Sequence, residues 1–249
     1  VSAGIAMFLF QIGSMLITMF GMNFAYFEFG YSAGGSFVFL FTVMYGLGTL
    51  LSQVAFPFIT KKFTRQKQLG FFMIVLVIFY TLFFLIGIVV PKIPVVIYAI
   101  GFVIFFSQGI FNMNLIVMIN NTIEYDEYKF NERHDSVISA VRSFAVKFGS
   151  AVNQGITNLV LILSGIYAIS QNVSGLEVKA GSGEMTAEEV LVKADAILQT
   201  ATRGQLIKLR LGMTLIPVLA LGAALLILRK KYKIDEKEYN RIVKEISER

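Results

Sequence analysis

Residues 36–59 contain no charged side chain, and this uncharged segment constrains the fold more than any other feature of the sequence. An α-helix of that length would extend about 36 Å, enough to cross the roughly 30 Å hydrocarbon core of a bilayer. The alternative membrane-spanning structure is a closed β-barrel, whose strands alternate apolar and polar residues over about ten positions. This segment is longer and does not alternate, so it predicts a membrane-spanning helix.

Similar apolar segments recur along the chain and predict an all-α integral membrane protein with six spans. A hydrophobic content of 56% against 15% charged residues agrees, because a soluble domain needs more polar surface. The predicted six-helix bundle occupies residues 1–228, with an outer loop at 171–208 and a cytoplasmic tail at 229–249. The predicted spans are residues 4–27, 36–59, 70–90, 95–119, 137–168 and 211–228.

The first apolar segment lacks the basic stretch and the small-residue cleavage site of a secretory signal peptide. We therefore interpret it as a retained membrane span. We also expect this sequence to be a fragment of a longer chain that begins before or within that span.

Basic residues concentrate at two places, the link between the second and third predicted spans and the segment after the sixth. If six spans follow in order, both places lie on the same side, which the positive-inside rule assigns to the cytoplasm. The sequence thus predicts a multi-pass protein of the plasma (inner) membrane with a cytoplasmic C-terminus. The two clusters contain Lys61, Lys62, Arg65, Lys67, Arg229, Lys230, Lys231 and Lys233.

The sequence lacks the residues that several classes of protein function require. The chain has no cysteine and a single histidine, His134, so we expect no metal site built from such ligands. The net charge of +6 follows from the basic topology clusters, and we predict no nucleic-acid partner. The sequence has no phosphate-binding loop, dinucleotide fingerprint or nucleophile motif, and its spans pair no acid with a base. We expect neither an enzyme nor a bound cofactor.

The predicted outer loop contains a helix signal. Thr186 and Glu189 form a capping-box pattern, and apolar residues follow at helical spacing. We predict a short amphipathic helix on the outer surface. The tail after residue 228 also has one apolar helical face, which predicts a surface helix packed under the bundle.

The fifth predicted span has a polar stripe on one helical face, which would be costly to expose to lipid. Lys147 is its deepest charge, and no carboxylate lies at helical spacing within the same span. We interpret Lys147 as a functional residue, with Asn112, Arg142 and Ser143 as weaker cavity candidates. Alternatively, its ammonium group reaches the cytoplasmic interface or pairs with a structural carboxylate. The stripe consists of Ser139, Ser143, Lys147, Ser150, Gln154 and Thr157.

Shorter polar stripes follow one face of the first, second and fourth spans. Each by itself is typical of hydrogen bonds between helices, whereas several amphipathic spans together favour a cavity walled by helices. These stripes contain Gln11, Ser14, Thr18, Thr42, Tyr45, Thr49, Ser52, Gln108, Asn112 and Asn114.

The link between the fourth and fifth predicted spans, residues 120–136, is dense in charge. Glu124 and Glu127 share one face if the fourth span continues through them, which favours a cytoplasmic gate or ion-pair network. The alternative is a solvated cytoplasmic loop.

The segment NNTIEYDEYKFNERHDSVISAVRSFAVKFGSA resembles the glycoside–pentoside–hexuronide:cation symporter family of the major facilitator superfamily, which includes melibiose permease. That family has an acidic, tyrosine-containing segment before its eleventh helix and a lysine inside that helix. FPFITKKFTR and YFEFGY also resemble family segments, so the likeness covers nearly the whole chain and maps the six spans onto helices seven to twelve. The matching residues in the first segment are Glu124, Tyr125, Glu127, Lys129, Arg133 and Lys147.

This resemblance implies half of a twelve-helix transporter that moves a sugar or glycoside together with Na⁺ or H⁺. It places Lys147 near the sugar and cation sites. It also implies that the coupling-ion site and most sugar contacts lie in six N-terminal helices that this chain lacks. The cytoplasmic gate implied by the family consists of Asn121, Glu124, Glu127 and Arg133.

Two positions depart from the family pattern. Asn121 replaces an acidic residue of the gate segment, and Asn112 stands where melibiose permease has an aromatic residue near its sugar. The asparagine at position 112 indicates a sugar different from that of melibiose permease. The competing interpretations are a stand-alone six-helix subunit or scaffold without transport of its own, and an intramembrane enzyme.

Overall fold

A computed structural model describes residues 2–132 and 135–248, and all the regular elements within these ranges are helices. The predicted all-α fold class is therefore confirmed. Ten helices follow one another in the described chain: α1 Ser2–Met19, α2 Gly21–Phe29, α3 Tyr31–Lys62, α4 Arg65–Phe84, α5 Pro94–Phe130, α6 Asp135–Ser164, α7 Tyr167–Gly181, α8 Ala187–Leu198, α9 Arg203–Lys231 and α10 Glu236–Ser247.

Five segments of the described chain are long and apolar enough to cross a membrane: α1 with α2, α3, α4, α5 and α9. The helix α6 together with α7 passes the same test as a sixth span, but the two are bent by 113° at their junction. The structure thus agrees with a six-helix bundle in which the fifth span along the chain is broken between α6 and α7.

The bundle has two ends, because successive spans run in opposite directions. The α10 end contains the basic C-terminal turns of α3 and α9, and α10 packs there against the last turns of α5. The opposite end, which we call the α7–α8 end, contains the two short helices between α6 and α9. The predicted outer loop at 171–208 is thus mostly helical, and α8 begins at the capping box of Thr186 and Glu189.

The third predicted span, 70–90, is too long at its C-terminal side. Helix α4 ends at Phe84, and a turn follows in which the Gly87 N–H donates to the Val90 carbonyl over 2.8 Å. Gly87 has φ +72°, a conformation that favours glycine and cannot continue a right-handed helix. Because the residues of this turn are apolar, the sequence did not distinguish the turn from a continuing span.

Of the two alternatives for residues 120–136, the structure contradicts the solvated loop over most of its length. Helix α5 continues to Phe130 and ends at Asn131, which adopts the left-handed conformation at φ 57°. The charged residues in this segment are compatible with a helix, and α10 packs against them. The onset of charge at residue 124 therefore does not mark the helix end.

The fifth and sixth predicted spans differ from the structure at the α7–α8 end. The span predicted at 137–168 ends at Ser164, because Gly165 at φ +77° turns the chain into α7. The span predicted at 211–228 begins earlier, at Arg203, where Thr202 and Gln205 form a capping box.

Helix α1 lies at the centre of the packing, against α5, α6 and α9. Gly13 permits a close approach to α9, because an added Cβ would lie 2.6 Å from Leu221 and 3.0 Å from the Pro217 carbonyl. Phe10 stacks on Phe111 of α5 with ring centroids 5.6 Å apart. Large apolar side chains point outward from the other helices, as expected for a surface in contact with lipid. They include Phe39, Leu50, Val54, Phe58, Phe71, Ile74, Phe144, Leu163, Leu219 and Leu226.

Candidate functional site

The three short polar stripes of α1, α3 and α5 meet in one cavity of about 330 Å³, which we call the neutral pocket. They come together because residues three or four apart share a helical face and α3 packs closely on α5. The lining consists of Phe10, Gln11, Ser14, Met15, Thr18, Thr42, Tyr45, Thr49, Phe105, Gln108, Gly109 and Asn112.

The neutral pocket combines an aromatic surface with amides and hydroxyls. Tyr45 is exposed and stands edge-on to Phe105, with ring centroids 5.1 Å apart. The Asn112 Oδ1 atom is buried and has no hydrogen-bond partner among the described residues. The Gln108 side chain is held in place by a hydrogen bond, since its Nε2 donates to the Tyr80 hydroxyl over 2.8 Å. Such a surface suits a neutral molecule with both an apolar face and hydroxyl groups.

Two members of the same stripes serve helix packing instead. Ser52 is fully buried against Gly109, and its hydroxyl donates to the Thr49 carbonyl over 2.6 Å. Asn114 donates to Gln68 Oε1 of α4 over 3.0 Å. The interpretation of hydrogen bonds between helices is therefore correct for Asn114. Ser52 bonds within α3, and its contact with α5 is close packing against Gly109.

Lys147 lines a second cavity of about 370 Å³, which we call the cationic pocket. Its lining consists of Ile119, Asn120, Ile138, Ser139, Arg142, Ser143, Val146 and Lys147. Lys147 is exposed on this face, about 18 Å along α6 from Asp135. The structure thus brings three predicted site residues, Arg142, Ser143 and Lys147, to one cavity, while Asn112 lies in the neutral pocket.

Beyond Lys147 the polar face of α6 packs against α1. Ser150 donates to Met15 Sδ over 3.4 Å and Thr157 to Met19 Sδ over 3.7 Å. Asn153, which the sequence stripe did not include, donates to the Gln11 carbonyl over 2.9 Å. The stripe therefore divides into an open part at the cationic pocket and a part that contacts α1, whereas Gln154 is exposed.

No sequence pattern predicted the ion cluster of Glu28, Lys92 and Arg210, in which Glu28 and Arg210 are buried and Lys92 is partly exposed. We call it the buried ion cluster. Glu28 Oε1 accepts from Arg210 Nε over 3.0 Å, and Glu28 Oε2 lies 2.6 Å from Lys92 Nζ. The same guanidinium also donates to the Ile86 carbonyl. The side chains of Glu28 and Arg210 are only 3% and 8% exposed. These three residues are distant from one another in the sequence, so no local sequence pattern predicts their contact.

Three predicted gate residues, Asn121, Glu124 and Glu127, lie on α5 toward the α10 end, and none of them lines the cationic pocket. The Asn121 amide, oriented with its oxygen toward Arg65, accepts from both terminal guanidinium nitrogens over 3.2 and 2.5 Å. Arg65 also pairs with Glu236 of α10 at 3.5 Å. The buried Glu124 Oε2 has no hydrogen-bond partner among the described residues. Glu127 lies on the last turn of α5.

Arg133, the fourth predicted gate residue, lies outside the described residues. A tyrosine fixes α10 beneath the bundle near the other three. Tyr232 donates its hydroxyl hydrogen to the Met118 carbonyl over 2.9 Å, and burial raises the pKa of Tyr232. The phenol therefore stays protonated and keeps this hydrogen bond at physiological pH. A gate function of these residues stays a prediction.

The family model described as MFS/sugar transport protein matches residues 3–236. The chain belongs to this family. It is therefore a multi-pass membrane protein of the major facilitator superfamily, in a family of transporters. No curated protein gives a significant match to the chain. In the described part of this family member, no group of three His, Asp or Glu side chains converges on a position that would hold a metal ion.

Proposed function

We propose that this chain is one six-helix half of a secondary sugar transporter, which binds a sugar or glycoside in the neutral pocket. The observation that supports this most strongly is the meeting of three polar stripes from separate spans in one cavity. Aromatic and amide groups together match a sugar, whose ring has an apolar face and polar edges.

A second six-helix bundle covers this open face. Alternating access requires two bundles that rock about a site near the membrane midplane. The cationic pocket supports the same conclusion, since Lys147 is exposed at membrane level where contact with lipid would be costly. The family resemblance of residues 120–151 points to a cation symporter related to melibiose permease.

The coupling ion is Na⁺ or H⁺, and its ligands lie on the second bundle. Neither pocket is lined by a carboxylate from the described chain, whereas cation sites need oxygen ligands of that type. Lys147 lies close enough to the substrate path to link cation binding to sugar binding. The α10 end is the cytoplasmic end of a plasma-membrane protein, and Asn121, Glu124, Glu127 and Arg133 form its gate.

Uptake by proteoliposomes tests the proposal. The protein with its second bundle should accumulate a sugar when a Na⁺ or H⁺ gradient is applied. Asn112→Ala should lower the apparent affinity for sugar about tenfold, because one hydrogen-bond acceptor is lost. Asn240→Ala, the same change on the exposed face of α10, is the matched control and should have no effect.

Two results would contradict the proposal. Absence of gradient-driven uptake for every sugar tested would remove the transport function and favour the stand-alone subunit. Uphill accumulation by this chain alone would show that no second bundle is needed.

Accessibility of single cysteines tests the orientation, since the chain has no cysteine of its own. Thr64→Cys and Lys233→Cys should react only with reagent applied from the cytoplasm. Ser182→Cys should react only from outside. Labelling of Thr64→Cys from outside would overturn the orientation.

A further inference from the structure

A third cavity, of about 200 Å³, lies between α2 and α7 at the α7–α8 end, and we call it the α2–α7 pocket. The sugar transport proposed above does not use it. Apolar side chains form one part of its lining, among them Phe27 of α2, Leu161 of α6 and Leu198 of α8. The polar part consists of Asn23, Tyr26, Ser170, Gln171, Ser174 and Glu177.

Hydrogen bonds hold two walls of the α2–α7 pocket together. The Tyr26 hydroxyl donates to Glu177 Oε1 over 3.1 Å. The Ser170 hydroxyl donates to Asn23 Oδ1 over 2.8 Å. Because both bonds join α2 to α7, the pocket keeps its shape without a ligand, which lowers the entropic cost of binding one.

Other polar groups of the α2–α7 pocket are available to a ligand. Gln171 and Ser174 are exposed, and neither side chain forms a hydrogen bond with a described residue. Glu177 is half-buried and forms no ion pair within the described ranges. Amides and hydroxyls both donate and accept hydrogen bonds, as sugar hydroxyls do, and a carboxylate is a strong acceptor. This mixture suits a polyol, whereas an organic cation would need acceptors alone.

The α2–α7 pocket continues the face of the first span that lines the neutral pocket. The hydrogen bond from the Phe24 N–H to the Phe20 carbonyl, over 2.8 Å, bridges the turn between α1 and α2. Four-residue spacing therefore extends one helical face from Thr18 of the neutral pocket through Met22 to Tyr26. Eight helical residues correspond to about 12 Å along the span.

We propose that the α2–α7 pocket is a second sugar site, where one sugar ring binds before it moves to the neutral pocket. This inference rests on the proposed sugar transport, whose orientation places the α7–α8 end outside. The cavity has room for a single ring, and Tyr26 with its apolar neighbours matches the apolar face of that ring. Since the two pockets lie about 12 Å apart along the span, both can be filled at the same time.

Protection of single cysteines from N-ethylmaleimide detects the two pockets separately, because the chain has no cysteine of its own. Ser174→Cys reports on the α2–α7 pocket and Thr42→Cys on the neutral pocket. Ser182→Cys, at the C-terminal cap of α7 and outside both cavities, is the matched control.

The experiment uses protein extracted with the bundle that covers its open face and reconstituted in nanodiscs, so that reagent reaches both ends. Mass spectrometry of the labelled peptides measures the rate at each cysteine. The ligands are glucose, galactose, xylose and their phenyl β-glycosides, with tetramethylammonium chloride as the organic cation.

A sugar that protects Thr42→Cys should also slow the labelling of Ser174→Cys, by at least about fivefold at saturation, and should not slow that of Ser182→Cys. Adding Asn112→Ala should raise the sugar concentration for half-protection at Thr42→Cys about tenfold. The same change should leave the half-protection concentration at Ser174→Cys as it was, because Asn112 lines only the neutral pocket.

Variants of the α2–α7 pocket should act in the opposite sense. Glu177→Gln should raise the half-protection concentration about tenfold at Ser174→Cys, because a charged acceptor is lost, and much less at Thr42→Cys. Gln171→Ala removes no hydrogen bond between described side chains and should shift the same value in the same direction. Labelling rates without sugar show whether either variant disturbs the pocket itself.

Three results would overturn the inference and leave the proposed transport intact. The first is a sugar that protects Thr42→Cys and not Ser174→Cys. The second is a parallel shift of both protections in Asn112→Ala, which would trace them to one site. The third is protection of Ser174→Cys by tetramethylammonium and by no sugar. Failure of all six sugars to protect either cysteine would instead overturn the proposed function itself.

Discussion

The buried ion cluster and the cationic pocket hold an arginine in opposite ways. Arg210 lies inside the α7–α8 end with both oxygens of its partner Glu28 engaged, one by Arg210 and one by Lys92. Arg142 lies on an open face beside Lys147, with no partner in the described chain. A charge that is paired within one bundle therefore stabilises that bundle. A charge left unpaired is available to a ligand or to a second bundle.

Breaking the buried ion cluster should have the largest effect on stability. Glu28→Gln would leave two cations without their carboxylate and should cost about 3–5 kcal/mol of unfolding free energy. Thermal unfolding in detergent measures it, with the exposed Glu184→Gln as control. Combining Glu28→Gln with Arg210→Gln should recover part of the loss. Normal stability of Glu28→Gln would show that the cluster is not structural.

Replacing Asp195 should have the second-largest effect on stability, because its side chain caps helix α3 from a position far away in the sequence. Its Oδ1 accepts from the Tyr31 N–H over 2.6 Å at the start of α3, where Gly30 offers no side-chain cap. Asp195→Ala should cost about 1–2 kcal/mol, and Asp195→Asn less, since an acceptor oxygen remains. Hydrogen exchange of the first α3 amides reports the loss. Equal exchange in all three proteins would contradict the cap.

Thr186→Ala should have a smaller and local effect of about 1 kcal/mol on α8, because one N-cap is lost. Hydrogen bonds from the Thr186 backbone and side chain lower the pKa of Glu189 below its ordinary value. The contribution of this pair is therefore fully present above the ordinary pKa of glutamate, and it is lost as the pH falls through the lowered value. Exchange of the α8 amides measured across acidic pH should show this loss. A pH-independent difference between Thr186→Ala and the unchanged protein would contradict it.

Lys147→Ala should have the smallest effect on stability, within about 0.5 kcal/mol, because no described residue pairs with this ammonium. Sugar uptake against a gradient should nevertheless be lost. Lys147→Arg should restore it poorly, since a planar guanidinium does not replace a compact ammonium. Uptake and thermal unfolding are measured on the same preparation. Loss of stability without a transport defect would place Lys147 with the buried ion cluster instead.

The sequence predicted the fold class well and several boundaries poorly. Uncharged segments such as 36–59 are long enough to leave only a membrane helix, so the class followed from length and composition. The turn at Gly87 and the break at Gly165 were missed, because their apolar neighbours resemble a continuing span. The helical extension to Phe130 was only one of two alternatives, because dense charge suits an extended helix and a solvated loop equally.

The candidate site was predicted in part. Helical spacing alone grouped Thr42 with Tyr45 and Gln108 with Asn112, since residues three or four apart must share a face. Spacing could not decide that these pairs line one cavity, because that depends on how α3 packs against α5. It equally could not separate Asn112 from Asn114, which is turned toward Gln68.

The sequence by itself determined that this protein crosses a membrane as helices and places a lysine on the polar face of one span, because both properties follow from local order along the chain. Only the tertiary structure decided which charges are paired. Glu28 and Arg210 meet because the C-terminal end of α2 packs beside the N-terminal part of α9, whereas no described acidic side chain reaches Arg142 or Lys147. Pairing depends on distances across the bundle, and side chains that are far apart in sequence acquire those distances only when the helices pack.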